Sequence, residues 1–380
     1  MEAAKAISSS PSSEASSKPR DKLKERVQEF LSLADVRIGG DRQWDITVNN
    51  DEFYARVLRD GSLGLGESYM DGWWDCPTLD EFFTRILSAK LDREARRNLW
   101  LILWHLSALV FNRQTKSRAK RVAEQHYDLG NELYRNMLDH RMVYTCARWD
   151  HASNLDEAQE TKLDFVCRKL GLQSQMTLLD IGCGWGSLAK FAAEKHGAKV
   201  VGITISREQL ELAQRLCDGL PIEIRLQDYR DVSGVFDRVA SLGMFEHVGP
   251  KNYRRFFQVV RRVLRPGGFV YLSTIGASRS VRATDPWIDK YIFPNSHLPS
   301  AAQIGAAIDG LFVVESWENW SPDYDRTIMA WFQNFQNHWH SLQSRYNERF
   351  YRMWKYYLMV AAACFRSGKN QVWQILLARQ

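Results

Sequence analysis

The stretch Thr177-Leu-Leu-Asp-Ile-Gly-Cys-Gly-Trp-Gly186 decides the fold of this chain. Its apolar first half, residues 177–181, predicts a buried strand, and a helical pattern follows over Ser187–His196. Between them lie an acid and three glycines at alternating positions. In open α/β sheets, ligands bind just past the carboxyl ends of the strands, and glycine lets the backbone approach a ligand closely. The stretch therefore predicts a loop that binds a nucleotide-like cofactor.

The glycine spacing narrows the kind of cofactor. No lysine follows the glycines, as a phosphate-binding P-loop requires, and Gly186 comes one residue too early for a dinucleotide fingerprint. The spacing of Asp180, Gly182, Gly184 and Gly186 resembles the first motif of S-adenosylmethionine-dependent methyltransferases. That cofactor carries a sulfonium, an ammonium and a carboxylate, which suit an acid and bare backbone amides. We predict these four residues as cofactor contacts; the alternative is a glycine turn in an unrelated α/β enzyme.

Composition limits the class of protein. At 380 residues the chain exceeds one typical domain, and 45% hydrophobic with 25% charged residues is typical of globular proteins. The net charge of +6 is compatible with nucleic acid or a lipid surface as an anionic partner. The six cysteines show no metal-ligand spacing and no secretory segment begins the chain, so we predict free thiols, a cytoplasmic protein and no metal site.

Four regions are predicted along the chain. Residues 1–20 are rich in Ser, Ala and Pro and indicate a disordered tail. Residues 21–92 indicate a small α+β domain, with a helix over Lys22–Leu33 and strands near 36–47 and 52–57. Residues 93–121 form an apolar helix with basic flanks, which suits an anionic membrane surface or, alternatively, packing against the catalytic domain. Residues 122–380 form the catalytic domain.

The catalytic region alternates strand and helix patterns. Further strands are predicted over 199–203, 222–226, 236–242 and 269–275, with helices over 206–217 and 251–264. Short strands separated by helices indicate a mostly parallel sheet. We therefore predict an α/β fold with a Rossmann-like methyltransferase sheet.

Polar residues at two further strand ends are predicted to bind the same cofactor. Thr204, Ser206 and Gln209 follow the second strand, where hydroxyl and amide groups are able to bind the ribose hydroxyls. Ser206 has an alternative role as a plain helix N-cap. Gln227-Asp228-Tyr229 follows the third strand, where Asp228 would accept from the adenine amino group and Tyr229 would cover the ring. The alternative there is an ordinary polar turn.

Several motifs in order carry a family resemblance. They are His126–Asn131, Tyr144–Trp149, Gly182–Gly186, Gly202–Ser206, Gln227–Arg230, Gly243–Gly249, Asp285–Pro294 and Asp323–Asp325. Together they closely resemble the cyclopropane-fatty-acyl-phospholipid synthases, and the likeness covers about residues 21–380. The resemblance implies transfer of a methylene group from S-adenosylmethionine to the cis double bond of an unsaturated phospholipid acyl chain. The alkene attacks the methyl group directly, and bound bicarbonate takes a proton from the resulting carbocation so that the ring closes.

The resemblance also implies the site residues. The bicarbonate pocket is expected to use Cys146, Glu246, the backbone of Ile275, and Tyr324, while Tyr144 and Thr145 contact the methionine part of the cofactor. The family has a histidine in its His-Thr-Ile-Gly motif, whereas this chain has Ser273 at that position. Serine is shorter and does not become cationic. The base, and with it the product, therefore depends on whether Ser273 still contacts the anion.

Two other residues are predicted to be structural. His247, next to the proposed catalytic glutamate, is interpreted as a hydrogen-bonded structural histidine. Cys364 lies near a position where some family members carry a cysteine, and it is interpreted as a buried structural thiol.

The resemblance implies partners and place as well. We expect unsaturated phospholipid at the inner face of the membrane, peripheral attachment helped by the N-terminal domain, a homodimer, and no nucleic acid. Three alternatives stay open: a fatty acyl C-methyltransferase giving a methyl-branched or methylene product, a methyltransferase for a small molecule or RNA, and a membrane-binding protein without catalysis.

Overall fold

The N-terminal region is mostly helical. A computed structural model describes residues 19–90, 130–280 and 284–379; the predicted 93–121 helix and nearly all of the predicted tail lie outside them. The first elements are α1 (Pro19–Ser32), β1 (Thr47–Val48), α2 (Glu52–Asp60), α3 (Ser62–Met70), β2 (Trp74–Asp75) and α4 (Leu79–Ser88). Strands β1 and β2 pair antiparallel.

Two strand predictions in this region are wrong. Residues 52–57 belong to α2, because Phe53 and Tyr54 are buried and Val57 and Leu58 pack on the same apolar cluster, which is the spacing of one helix face. Residues 36–47 contain an isolated bridge between Ile38 and Ile46 and the first residue of β1.

A seven-stranded sheet positions the site. Its strands are β3 (Thr177–Ile181), β4 (Lys199–Thr204), β5 (Ile222–Leu226), β6 (Phe236–Leu242), β7 (Leu264–Ala277), β8 (Val313–Asn319) and β9 (Asn370–Ala378). The order is β5-β4-β3-β6-β7-β9-β8; the first five strands are parallel, and β9 runs antiparallel to β7 and β8. The prediction of a mostly parallel Rossmann-like sheet is confirmed.

Helices cover both faces of the sheet. They are α5 (Asn131–Met137), α6 (Leu155–Lys169), α7 (Ser187–His196), α8 (Arg207–Leu216), α9 (Tyr253–Val263), α10 (Pro286–Tyr291), α11 (Ala301–Ile308), α12 (Ser321–Asn337), α13 (Trp339–Leu342) and α14 (Glu348–Arg366). Leu178 packs with α6, α7 and α8, whereas its neighbour Leu179 packs with α9 and α11. This alternation is expected of a strand buried on both faces.

Most boundaries of the central elements match the sequence pattern. The strands at 177–181, 222–226 and 236–242 and the helix at 187–196 are confirmed to the residue. The helix predicted to run to 264 ends at Val263, and β7 begins at once instead of at 269.

The N-terminal helices share an apolar cluster with the C-terminal ones. Phe82 and Phe83 of α4 lie in one buried cluster with Tyr356 of α14. Polar contacts add to this: Glu67 of α3 accepts hydrogen bonds from Lys290 (2.6 Å) and Tyr291 (2.8 Å) of α10. The division into a separate N-terminal domain stays a prediction. Among the described residues, no helix is long and apolar enough to cross a membrane.

Candidate active site

One pocket lies at the carboxyl ends of β3, β4 and β6. Eleven of the twelve residues predicted to bind the cofactor line it. They are Tyr144, Thr145, Asp180, Gly182, Gly184, Thr204, Ser206, Gln209, Gln227, Asp228 and Tyr229. The twelfth, Gly186, does not line it. The topology thus brings residues from four separate stretches of the chain to one place.

The glycine loop has backbone angles that favour glycine. Gly182, Gly184 and Gly186 have φ values of +81°, +55° and +85°. A Cβ on Gly184 would meet no protein atom within 4 Å, so it would project into the pocket. A Cβ on Gly186 would lie 2.8 Å from the sulfur of Cys217. In this structure Gly186 therefore permits packing of the loop on α8, and its predicted cofactor contact stays a prediction.

Asp180 is a buried acid at the end of β3. Its side chain is 2% exposed and lines the pocket. Burial raises its pKa to about 7, and the positive charge of Lys162 opposes that rise. A cationic ligand group in the pocket would favour the ionised carboxylate.

The polar residues after β4 are joined to one another. The hydroxyl of Thr204 donates to Gln209 Oε1 (2.8 Å), and the hydroxyl of Ser206 accepts from the backbone amide of Gln209 (3.3 Å). Ser206 is thus the N-cap of α8, as its alternative interpretation states. It also lines the pocket, so capping and a cofactor contact are compatible.

The residues after β5 form a paired turn. The carboxylate of Asp228 accepts from the guanidinium of Arg230, with a closest distance of 2.6 Å, and from the Arg230 backbone amide. Tyr229 packs edge-on against Phe256 of α9 with ring centroids 5.3 Å apart. The turn is therefore both an ordered polar turn and a part of the pocket wall.

Aromatic rings hold Tyr144 in the opposite wall. Its hydroxyl lies 2.8 Å from the hydroxyl of Tyr357 on α14. Its ring packs against Tyr134 and Trp331, with centroids 5.3 Å and 5.1 Å away. Trp331 in turn contacts Tyr324 edge-on at 5.9 Å. An aromatic path thus runs from the cofactor pocket to one of the predicted catalytic residues.

The five predicted catalytic residues lie behind this pocket and do not line it. Glu246 sits in a short helical turn after β6, between the lining residues Met244 and His247. Its Oε1 accepts a hydrogen bond of 2.5 Å from the backbone amide of Ile275, which continues the pairing of β6 with β7. Its Oε2 is buried and has no hydrogen-bond partner among the residues that the structure describes, although the Thr274 side chain lies close enough to lower the pKa of the carboxyl. Burial raises the pKa of Glu246 to about 7.

Cys146 and Tyr324 lie on the neighbouring elements. The thiol of Cys146 is buried, donates to backbone oxygens of Ala147 (3.2 Å) and Trp320 (3.7 Å), and has a pKa that burial raises well above its usual value. Tyr324 is one turn before Thr327 on α12, and Thr327 accepts from the Ala147 amide (3.1 Å). This hydrogen bond ties α12 to the Cys146 segment.

Ser273 is buried on the same face of β7 as Ile275. It stands opposite Gln374 of β9, and its backbone oxygen accepts from Gly243 at the end of β6. Residues two apart on a strand point to one face, so Ser273 and Ile275 share a side. Ile275 packs in the apolar cluster that contains Cys146 and Tyr324. Ser273 therefore lies on the side of β7 from which Ile275 packs against that cluster, and its contact with the anion stays a prediction.

Sequence reasoning missed two polar residues of α6. Gln159 and Lys162 are buried, and both donate to Thr145, Gln159 to the backbone oxygen (2.9 Å) and Lys162 to the hydroxyl (3.0 Å). They stand on the buried stripe of α6 that also includes Leu155 and Val166. A polar pair within an otherwise apolar helical stripe was the signal that could have found them.

The two residues interpreted as structural are both half-buried. His247 lines the pocket, and burial lowers its pKa to about 4, so the ring is neutral near pH 7. The prediction that the thiol of Cys364 is buried is wrong, because this residue of α14 is partly exposed. None of the six cysteines, all of which the structure describes, is in a disulfide.

The chain is similar in sequence to known proteins. The profile described as mycolic acid cyclopropane synthetase matches residues 114–375. The chain is 49% identical over 361 residues to the cyclopropane-fatty-acyl-phospholipid synthase of Escherichia coli (strain K12), covering 95% of this chain and 94% of that protein. It is 35% identical to tuberculostearic acid methyltransferase UfaA1 of Mycobacterium tuberculosis, covering 87% of this chain and 82% of that protein.

A solved structure extends the likeness to the fold. Mycolic acid cyclopropane synthase CmaA1 complexed with SAH and CTAB superposes with a TM-score of 0.63 at 31% identity, covering 68% of this chain and 98% of that chain. The sequence resemblance is therefore confirmed, and the site lies within the matched region. From its motifs, its sheet and these matches, the chain belongs to the mycolic acid cyclopropane synthetase family.

Proposed function

We propose that this protein is an S-adenosylmethionine-dependent cyclopropane-fatty-acyl-phospholipid synthase. It transfers a methylene group to the cis double bond of unsaturated phospholipid acyl chains. The observation that carries the proposal is the buried carboxyl of Glu246 beside the glycine-loop pocket: one oxygen accepts from Ile275, and the other has no hydrogen-bond partner in the described part of the chain. The 49% identity to the Escherichia coli enzyme supports the same reaction.

The pocket supplies groups for each part of the cofactor. Asp180 would hold the ammonium group, the amides of the glycine loop would hold the carboxylate, and the polar residues after β4 would bind the ribose hydroxyls. Gln227 and Asp228 would hold the adenine. S-Adenosylmethionine supplies the methyl group as an electrophile, and the neutral alkene needs no base in order to attack it. The chain's task in this step is to align the acyl chain with the sulfonium methyl and to exclude water.

The residues behind the pocket fit a small anion. A buried carboxyl oxygen without a partner is costly, and the hydroxyl of bicarbonate is a suitable donor to Glu246 Oε2. The thiol of Cys146 and the hydroxyl of Tyr324 would be donors for its oxygens, while the amide of Ile275 holds Glu246 Oε1. When bound there, bicarbonate would supply the base that removes a proton from the transferred carbon. Glu246, Cys146 and Tyr324 would orient it, and Ser273 would add a shorter donor than the family histidine.

A row of aromatic side chains beside the cofactor pocket is suited to stabilising a cation. The rings of Tyr144, Trp331 and Tyr324 form a contiguous row, and Phe365 packs on Tyr324 with centroids 4.6 Å apart. Ring faces attract cations by about 0.5–2 kcal/mol each. A row of such rings stabilises the carbocation that forms on the acyl chain without offering a nucleophile to it.

A second candidate function keeps the cofactor and the lipid. Ser273 replaces the histidine that the family pattern has, and the chain is also 35% identical to a tuberculostearic acid methyltransferase. If the anion site is weakened, the cation loses a proton of the acyl chain instead, which gives a methyl-branched alkene. If a hydride of the chain first shifts to the cationic carbon, loss of a methyl proton gives a methylene chain.

Attachment to the membrane and dimerisation are parts of the same proposal. Phe30 near the end of α1 and Leu33 just after it are 37% and 62% exposed, and such neighbouring apolar residues are suited to a lipid surface. Glu25 and Glu29 stand beside the basic residues Lys22 and Arg26, so the charges there largely balance. The proposed docking is therefore supported by apolar contact and not by charge. Sedimentation with phospholipid vesicles and light scattering measure the two properties.

The proposed function is tested with purified protein, S-adenosylmethionine and vesicles of unsaturated phospholipid, with and without added bicarbonate. We expect acyl chains that gain one CH₂ group and show the isolated upfield proton signals of a cyclopropane. A methyl-branched or methylene product would favour the second candidate, and unchanged lipid would overturn both.

A further inference from the structure

Lys162 is a buried cation in the wall of the cofactor pocket. Its side chain is 3% exposed and its ammonium donates to the hydroxyl of Thr145 at 3.0 Å. Within the part of the chain that the structure describes, it forms no ion pair. A buried ammonium is costly unless opposite charge compensates it. Fold stability alone does not account for a lysine on the apolar stripe of α6.

Helix α6 fixes the segment that separates the pocket from Cys146. Gln159, one turn before Lys162, donates to the backbone oxygens of Thr145 (2.9 Å) and Val143 (3.4 Å). Lys162 holds the Thr145 side chain itself. A methyl group of Thr145 also packs closely on Gly243, since a Cβ there would lie 2.8 Å from it. Thr145 is therefore held from three directions.

Asp180 and Asp139 are the negative charges near Lys162. Burial lowers the pKa of Lys162 to about 8, and the charges of Asp139 and Asp180 oppose that fall. The carboxylate of Asp139 already accepts the backbone amides of Val143 (2.8 Å) and Arg141 (3.0 Å). Asp180 lines the pocket and has no ion pair with any described residue. The carboxylate of Asp180 is therefore able to interact with Lys162 on one side and with a ligand in the pocket on the other.

Three thiols near Asp180 and one imidazole in the pocket wall are neutral near pH 7. They are Cys167 on α6, Cys183 in the glycine loop, Cys217 just after α8, and His247. Burial raises the pKa of each thiol and lowers that of the imidazole to about 4. Lys162 is the group among these neighbours that carries charge.

We propose that Lys162 is a positioning residue that acts through two neighbours, holding Thr145 in the pocket wall and keeping Asp180 ionised to receive the ammonium group of the cofactor. The inference rests on the proposed use of S-adenosylmethionine. Lys162 thus has two roles: its hydrogen bond holds Thr145, and its positive charge keeps Asp180 ionised. Substitutions are able to remove them one at a time.

Three variants separate these roles. Lys162→Gln keeps a donor for Thr145 and removes the charge, whereas Thr145→Val keeps the charge and removes the hydrogen bond. Lys162→Met removes both and serves as a second charge-free variant of similar size. Calorimetry gives the dissociation constant of S-adenosylmethionine for each full-length protein across a pH range that brackets 7, and thermal unfolding checks that each variant folds.

In the wild type, we expect affinity to rise as the pH passes the pKa of Asp180, at about 7. Both lysine variants should move that midpoint upward by about one pH unit, because a positive neighbour lowers the pKa of an acid. Thr145→Val should weaken binding without moving the midpoint. An unmoved midpoint in the lysine variants, or an equal movement in Thr145→Val, would overturn the inference. Wild-type protein that binds no cofactor at any pH would instead overturn the proposed function.

Discussion

The backbone amide of Ile275 donates a 2.5 Å hydrogen bond to Glu246 Oε1, while the buried Oε2 has no hydrogen-bond partner within residues 19–90, 130–280 and 284–379. This hydrogen bond holds the carboxyl of Glu246, in the turn after β6, against the backbone of β7. We therefore infer that Oε2 accepts a hydrogen bond from a ligand. This relationship is the centre of the proposed anion site.

Glu246→Gln should preserve cofactor binding and lower turnover by about 100-fold or more, the range found for groups that assist proton transfer. Glutamine keeps an acceptor for the Ile275 amide but cannot ionise. Glu223→Gln is a matched control, since that glutamate stands on β5 with its side chain 61% exposed. Calorimetry measures binding and lipid analysis measures turnover. Wild-type turnover in Glu246→Gln would contradict the role of the carboxyl.

The same glutamate should make folding pH-dependent. Its pKa is about 7 in the folded protein against 4.5 ordinarily, so the folded state binds the proton more tightly. Stability then falls as the pH rises from 4.5 to 7 and levels off above, and the difference corresponds to about 3 kcal/mol.

Glu246→Gln removes this contribution. Between about pH 5 and about pH 8, the free energy of unfolding of the variant should therefore fall less than that of the wild type. Asp180, whose pKa is also raised to about 7, keeps part of the dependence in both proteins. Urea unfolding at the two pH values checks the difference. Identical pH dependence of the free energy of unfolding in the two proteins would show that folding does not raise the pKa of Glu246.

Gly184→Val should abolish cofactor binding while the protein still folds. Its side chain would project into the pocket, and the φ of +55° adds a backbone cost of about 1–2 kcal/mol. Gly219→Val is the matched control, because Gly219 has a φ of +75°, an equally open surrounding and no place in the pocket. Equal losses of cofactor affinity in the two variants would contradict the prediction that the glycine loop binds the cofactor.

Ser273→His should raise activity at low bicarbonate concentration. Histidine has a longer reach than serine and restores the side chain of the family pattern. Ser273→Ala, which removes the hydroxyl, should raise the bicarbonate concentration needed for half-maximal activity. Rates measured across a bicarbonate series check both. If neither substitution alters that dependence, position 273 does not contact the anion.

The central sheet followed from local patterns, because each of its parallel strands is a short apolar run between turn residues. The glycine loop was identified for the same reason, since its spacing is contiguous in sequence. The segment at 52–57 was mistaken for a strand because its helical apolar spacing is visible only over a longer window that includes Leu58.

The rest of the site depends on contacts between distant stretches. The pairing of Tyr144 with Tyr357 joins residues 213 positions apart, and no local pattern predicts it. Lys162 resembled an ordinary helix lysine until the packing of α6 buried it. The backbone of Ile275 was predicted from the family resemblance, whereas the bond of its amide to Glu246 depends on the register of β6 and β7.

The most direct test of the central claim uses S-adenosylmethionine with a trideuterated methyl group, vesicles of unsaturated phospholipid and the full-length protein. A cyclopropane synthase leaves two of the three deuterium atoms in the product, because one is removed as the ring closes, and proton NMR shows ring protons and no new alkene. We predict that result. Acyl chains that keep all three deuterium atoms as a methyl branch would contradict it.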